Sequence, residues 1–172
     1  ETPLVQTYSW TGGGSTAGWL IPENWNPIGI PASGEAAVVI GKDTVVADGA
    51  SFEADLTLED SACLEIVSNS TATYISASNS KFIASSDVSL NGRIATKAAI
   101  GIDITGTLTL NSILSGVHLL TKTGDGKLLL NADNINFSGD IHIDSGTLEA
   151  AVANSMGKGS VYVKDGAVLI IG

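Results

Sequence analysis

Four glycines, Gly106, Gly126, Gly146 and Gly166, recur every 20 residues, and each opens a short apolar run. The runs are Thr107-Leu108-Thr109-Leu110, Lys127-Leu128-Leu129-Leu130, Thr147-Leu148-Glu149-Ala150 and Ala167-Val168-Leu169-Ile170. A fixed period of this length, built on strand-length runs, is the signature of a solenoid in which each repeat forms one coil. One coil cannot bury its own apolar face, so neighbouring coils must stack. No stretch carries a capped helical stripe, and clean period-two alternation appears at Ile100, Ile102 and Ile104, at Leu108 and Leu110, and at Ile141 and Ile143. The expected fold is all-β, a single-stranded right-handed parallel β-helix with an N-terminal cap, the hand following from strand twist.

The regular pattern starts at Val38-Val39-Ile40. Upstream turns are read at Asp48-Gly49, Asp60-Ser61, Asn79-Ser80 and Asn91-Gly92, where glycine supplies positive φ and Asp, Asn or Ser bonds its own backbone. Their spacings of 12, 19 and 12, then 14 to Thr105-Gly106, are irregular before the 20-residue period settles, and some of these early turns are expected to belong to a second corner of the coil. Coils of two or three strands over residues 38–172 predict six or seven turns and a rod on the order of 30 Å long. The terminal Ala167-Val168-Leu169-Ile170-Ile171-Gly172 reads as an uncapped apolar edge. It is expected to be covered by the rest of a longer β-helix, truncated here at its C-terminus, or by a partner.

Residues 1–37 differ from the rest. They hold all three tryptophans, Trp10, Trp19 and Trp25, all four prolines and the turn-rich Thr11-Gly12-Gly13-Gly14-Ser15. A solenoid's first coil has an open apolar end and free backbone edges, so this segment is expected to cap it, with the indoles as cover. The same rings, if exposed, would make a ligand-binding platform for the flat apolar faces of glycans.

The net charge of −10 opposes nucleic acid and anionic membrane as partners, and disfavours a grip on strongly acidic polysaccharides unless a local basic patch or bound cations intervene; Arg93 is the sole arginine. Cys63 stands alone, so no internal disulfide forms, and its neighbours predict a buried, inert thiol in a strand. No apolar run is long enough for a membrane span; the sequence opens without a basic-then-apolar leader, so any export signal is expected to have been removed already or not included.

The last third carries more than periodicity. Leu120-Thr121-Lys122-Thr123-Gly124-Asp125-Gly126-Lys127-Leu128-Leu129-Leu130 is followed by Phe137-Ser138-Gly139-Asp140, Ile143-Asp144-Ser145-Gly146-Thr147-Leu148, Met156-Gly157-Lys158-Gly159-Ser160-Val161 and Val163-Lys164-Asp165-Gly166-Ala167-Val168-Leu169. This set of motifs resembles the autotransporter-associated β-strand repeat. Tyr8-Ser9-Trp10-Thr11-Gly12-Gly13-Gly14, Glu23-Asn24-Trp25 and Pro31 are similar to the leader of such proteins, while residues 45–115 match only in coil pattern. The resemblance implies an exported bacterial right-handed β-helix at the cell surface or outside the cell, with adhesion the commonest role. It carries over no catalytic residue.

Candidate chemistry is sparse. His118 and His142, the only histidines, lie 24 residues apart, and His142 is expected to face solvent between two inward isoleucines. Asp133, Asp140 and Asp144, or Asp55, Glu59 and Asp60, could offer oxygen ligands to Ca²⁺, although acidic turns on a soluble rod account for the same residues. No other cofactor is expected. Asp140 with Asp144 or Asp125 could supply the carboxylate pair of a glycosidase. Gly12-Gly13-Gly14 lacks the Lys-Ser/Thr of a phosphate loop. The expected role is a non-catalytic scaffold or display module of an exported surface protein, possible partners being glycans or a host surface. The alternatives are a carbohydrate-binding module, using the tryptophans or an outer sheet face, and a fragment of a polysaccharide-active enzyme.

Overall fold

The computed structural model describes residues 5–49 and 51–172. Its strands in chain order are β1 (Thr7–Trp10), β2 (Trp25–Asn26), β3 (Ala36–Ile40), β4 (Thr44–Ala47), β5 (Ser51–Glu59), β6 (Cys63–Ile66), β7 (Ser70–Ala77), β8 (Ser80–Ala84) and β9 (Val88–Thr96). They continue as β10 (Ile100–Ile104), β11 (Thr107–Gly116), β12 (Leu120–Thr123), β13 (Lys127–Leu130), β14 (Ile141–Ile143), β15 (Thr147–Ala150), β16 (Val161–Val163) and β17 (Val168–Ile171). The one helical element is a 3-10 turn, Pro22–Asn24, among the described residues.

From β3 onward the chain alternates strictly between two sheets. Odd-numbered strands stack in one, even-numbered strands in the other, and every pair is parallel. Only β1 with β2 is antiparallel. One odd and one even strand make a coil, and the arrangement is that of a single-stranded β-helix, consistent with a right-handed one. Among the described residues the even sheet has seven strands, about 30 Å of stack at a strand spacing near 4.8 Å.

Coil length corrects the expectation of irregular early turns. Cys63 pairs with Lys81, 18 residues on, Thr44 with Cys63, 19 on, Ser80 with Ile100 and Ile100 with Leu120, 20 on, and Leu120 with Ile141, 21 on. The period therefore holds at 18–21 residues from the first coil. Asp60, Ser61 and Asn79 do turn the chain with positive φ, but Asn91-Gly92 does not. It lies inside β9, where Gly92 (φ +122°) sits against the Ala72 carbonyl of the coil below and leaves no room for a Cβ. The register shifts beside it are bulges: Glu53 and Ala54 of β5 oppose Thr73 alone, and Thr73 and Tyr74 of β7 oppose Arg93 alone. These bulges let one long strand bend between two faces without breaking the sheet.

Alternation sends every second side chain inward, and stacking sets those side chains in columns. One column runs Val45, Leu64, Phe82, Ile102, Lys122, Ile143; another runs Val88, Leu108, Leu128, Leu148. The apolar members of both are buried. Each buried aliphatic or aromatic side chain contributes about 1.5–3 kcal/mol relative to exposure. The core is thin but continuous along the whole stack.

Candidate functional site

The N-terminal segment lies over the first coil. β1 pairs with β3, and the Trp19 amide donates to the Val46 carbonyl (3.1 Å). Asn24, buried within the Glu23-Asn24-Trp25 motif, organises the loop. Its Oδ1 accepts from the Gly14 amide (2.8 Å), and its Nδ2 donates to the carbonyls of Thr16 (2.7 Å) and Gly18 (2.9 Å). The indoles form an edge-to-face chain: Trp10 on Trp25 at 4.9 Å, Trp25 on Trp19 at 4.9 Å, and Trp19 on Phe52 of β5 at 4.4 Å. Trp25 Nε1 donates to the Trp19 carbonyl (3.0 Å). Trp19 and Trp25 are each 1% exposed, so neither has a face to offer a sugar; Trp10 alone is partly accessible.

The period glycines lie in the turns that lead from even strands into odd ones, but they are not equivalent. A Cβ on Gly106 would strike the Ser86 backbone, one on Gly126 the Gly106 carbonyl, and one on Gly146 the carbonyls of Gly124 and Gly126. Coil-to-coil contact at this corner is thus backbone on backbone. Gly166 breaks the series. Thr147 pairs with Val168, 21 residues on, so Ala167 stacks over Gly146, and Gly166 (φ +84°) has nothing within 4 Å of its would-be Cβ.

The titratable candidates are dispersed. Among the described residues, no three His, Cys, Asp or Glu side chains are placed to hold one metal ion. Asp133 Oδ1 accepts from the Ile135 amide (3.1 Å), closing its own turn, and Asp140 Oδ1 accepts from the Ser160 amide (2.9 Å), tying its coil to the next. Asp140 and Asp144 flank strand β14, about 13 Å apart in extended chain. His142 is half-buried on the outer face, edge-on to Tyr162 at 4.8 Å, while Ile141 and Ile143 point inward; His118 is half-buried in a turn. Cys63 corrects the expectation of a buried thiol. It opens β6 on the outward phase and is half-exposed, its neighbours Ala62 and Leu64 being the buried ones.

Two polar features were missed in the sequence. Lys122 stands in the inner column between Ile102 and Ile143 and is fully buried. Its ammonium donates to the carbonyls of Thr123 (3.0 Å), Gly124 (2.6 Å) and Ser145 (3.0 Å), tying its own turn to the turn of the next coil. Burial pushes its pKa below the ordinary lysine value, with Asp103 and Asp125 pulling it back up. On the outer face, the Lys81 ammonium bonded to Asp103 (2.7 Å) holds that carboxyl below its usual range. The second feature is a ladder: Asn111 Nδ2 donates to Asn91 Oδ1 (3.0 Å), and Asn131 Nδ2 to Asn111 Oδ1 (2.8 Å). The 20-residue spacing that singles out the glycines also links these asparagines, and it aligns Lys122 with Ile102.

Among the described residues, no helix is long and apolar enough to cross a membrane. A family described as the passenger-associated-transport-repeat matches residues 120–150. The chain is 42% identical over 53 residues to the probable autotransporter YfaL of Escherichia coli (strain K12), and 46% identical over 52 residues to the adhesin BmaC autotransporter of Brucella suis biovar 1 (strain 1330). Each match covers 30% of this chain but only 4% and 2% of those proteins, respectively. No solved structure matches. With the stacked coils, these similarities make the chain a β-solenoid related to the passenger regions of autotransporters and adhesins.

Proposed function

We propose that this chain is a rigid, non-catalytic segment of an exported bacterial surface protein, a coiled rod that displays a binding surface away from the cell and serves adhesion. Residues 120–169 are read as the autotransporter-associated β-strand repeat itself, and the chain's working location as the cell surface or the extracellular space. One observation carries the reading. From β3 to β17 each coil of 18–21 residues lands on the one before it, so chain length converts into reach at about 4.8 Å per coil. The repeat-bearing relatives, one called an autotransporter and one an adhesin autotransporter, support the same reading.

A rod tolerates loss of a whole coil and not of half a coil. Removing residues 141–160 joins Asp140 to Val161 in the register that Ile141 now occupies. Removing residues 141–150 leaves the following strand on the wrong face. In the full-length protein, the first deletion is expected to keep the β-rich circular dichroism, protease-accessible surface location and attachment of producing cells to a surface. The second is expected to lose all three. A whole-coil deletion that folds and reaches the surface yet abolishes attachment would refute a passive rod.

A further inference from the structure

The bulge at Thr73 and Tyr74 has a consequence on the outer face. Thr73 faces out by alternation, and the extra residue turns Tyr74 outward beside it before Ile75 returns to the core. Arg93, on the next coil, sits opposite this bulge and is exposed. Ile113, one coil further, pairs with Arg93 and is 43% exposed. There the sheet stops rising evenly. β13 ends at Leu130, and residues 132–135 leave the ladder, with Asn134 Oδ1 taking over the Leu114 amide (2.8 Å), before the Asn136 carbonyl and Phe137 rejoin it at Gly116. The departing loop forms a wall carrying Asn136. Tyr74, Arg93, Ile113, Ser115 and Asn136 line the resulting groove of about 320 Å³.

Arg93 is the only arginine in a chain of net charge −10. The ion pairs among the described residues are Lys81 with Asp103 and Lys127 with Glu149, and Arg93 is in neither. Its guanidinium therefore presents its donors unneutralised to whatever enters. Asp55 lies opposite Tyr74 on the coil below, which confines the anion-accepting side of the groove to the Arg93 end.

We propose that this groove binds a pyranose bearing a carboxylate, an acidic sugar of a surface glycan. The guanidinium fork fits a carboxylate through two parallel hydrogen bonds. The Tyr74 ring gives a flat apolar surface for the C–H face of the sugar, with Ile113 beside it. The Asn136 amide supplies a donor and an acceptor for ring hydroxyls, and the Ser115 hydroxyl, which donates to the Ile94 carbonyl (3.5 Å), supplies an acceptor. A groove of this size, with one aromatic ring, one aliphatic side chain and three convergent polar groups, falls at the small end of ligand sites. The proposal rests on the surface-display reading and deepens it by naming what the rod holds.

Isothermal titration of the full chain tests it with sialyllactose and trigalacturonate as acidic probes, lactose and maltotriose as neutral ones, and hexa-aspartate as a non-sugar carboxylate. At least one acidic sugar is expected to bind tenfold or more tighter than the neutral sugars and hexa-aspartate. Arg93→Gln should weaken that binding about tenfold or more, since a charged hydrogen-bond pair is lost. Arg93→Lys should fall between the two, and Tyr74→Ala should weaken binding several-fold. Lys42→Gln, which removes a charge in the turn between β3 and β4, should change nothing. Melting midpoints within a degree of the parent establish that the Arg93 variants, altered at an exposed position, are folded. Equal binding of acidic and neutral probes, undiminished binding by Arg93→Gln, or hexa-aspartate binding as tightly as the sugars would each overturn the proposal. Any of these outcomes leaves the rod reading standing, because coil deletion tests that reading through residues outside the groove.

Discussion

Replacing Gly106 by alanine tests whether this corner is held by backbone stacking. The new Cβ would stand 2.5 Å from the Ser86 carbonyl carbon, 2.6 Å from its oxygen and 2.7 Å from its Cα, where ordinary contact begins at 3.4 Å. No flexible side chain can yield, so the coils must part locally by roughly 1 Å, an overpacking that costs about 1–3 kcal/mol. Two hydrogen bonds cross or flank the same point: the Lys127 amide to the Gly106 carbonyl (2.9 Å) and the Thr107 amide to Asp87 Oδ1 (2.8 Å). Weakening them adds about 1 kcal/mol, for an expected loss of about 2–4 kcal/mol. Gly166→Ala is the control. It occupies the same place in the sequence repeat but meets nothing, and its positive φ costs about 1–2 kcal/mol less the roughly 0.4–1 gained from a stiffer unfolded chain. Thermal unfolding followed by far-ultraviolet circular dichroism should show Gly106→Ala lower by roughly 5–12 °C and Gly166→Ala by no more than about 4 °C. Equal shifts, or an unmoved Gly106→Ala, would show that the corner does not rest on close backbone approach.

Three further outcomes are expected. Because the folded pKa of Lys122 lies below its unfolded value of 10.5, the unfolded chain binds more protons between the two. The penalty of burying this charge is then full below the folded pKa and fades as pH rises through 10.5, so urea midpoints of the parent should gain on those of Lys122→Met as pH rises from the folded pKa through 10.5. Asn111→Ala cuts the ladder on both sides and should cost about 1–2 kcal/mol in urea unfolding, whereas Thr109→Ala on the same strand should cost less than 0.5, about the limit for surface changes. Acrylamide should quench only the Trp10 share of the native fluorescence, leaving a blue-shifted remainder from Trp19 and Trp25; uniform quenching of all three would refute the packed indole chain.

The coil was legible in the sequence because the inner columns and the tight corners tolerate few residue types. Leucine recurs at 108, 128 and 148 and glycine at 106, 126 and 146 because those positions meet their own equivalents one coil away. The early coils were harder to read because Asp48-Gly49 and Asp60-Ser61 turn the chain at opposite ends of β5 and Asn91-Gly92 lies inside β9, so their spacings compare positions that do not stack. Gly166 misled because a 21-residue step moved Ala167 into its place. Cys63 was misjudged because apolar neighbours suggest burial, while period two, counted from Leu64, places it outside. Lys122 escaped notice because its chemistry speaks for the surface; only its 20-residue alignment with Ile102 speaks for the core.

Outward positions are under no such constraint, so periodicity says little about what this surface touches. On a uniform rod every outer row would repeat, and no point would bind better than its neighbour. A localised site must therefore come from departures from the repeat. Two departures meet at one place here: the bulge that turns Tyr74 outward and the loop at 132–135 that interrupts the ladder beside Ile113. The single arginine of the chain lies between them. A buried irregularity could be relieved by repacking alone. An exposed bulge that places an aromatic ring and an unpaired guanidinium side by side leaves two desolvation-ready groups without protein partners, and a ligand carrying both a flat apolar face and a carboxylate satisfies both at once.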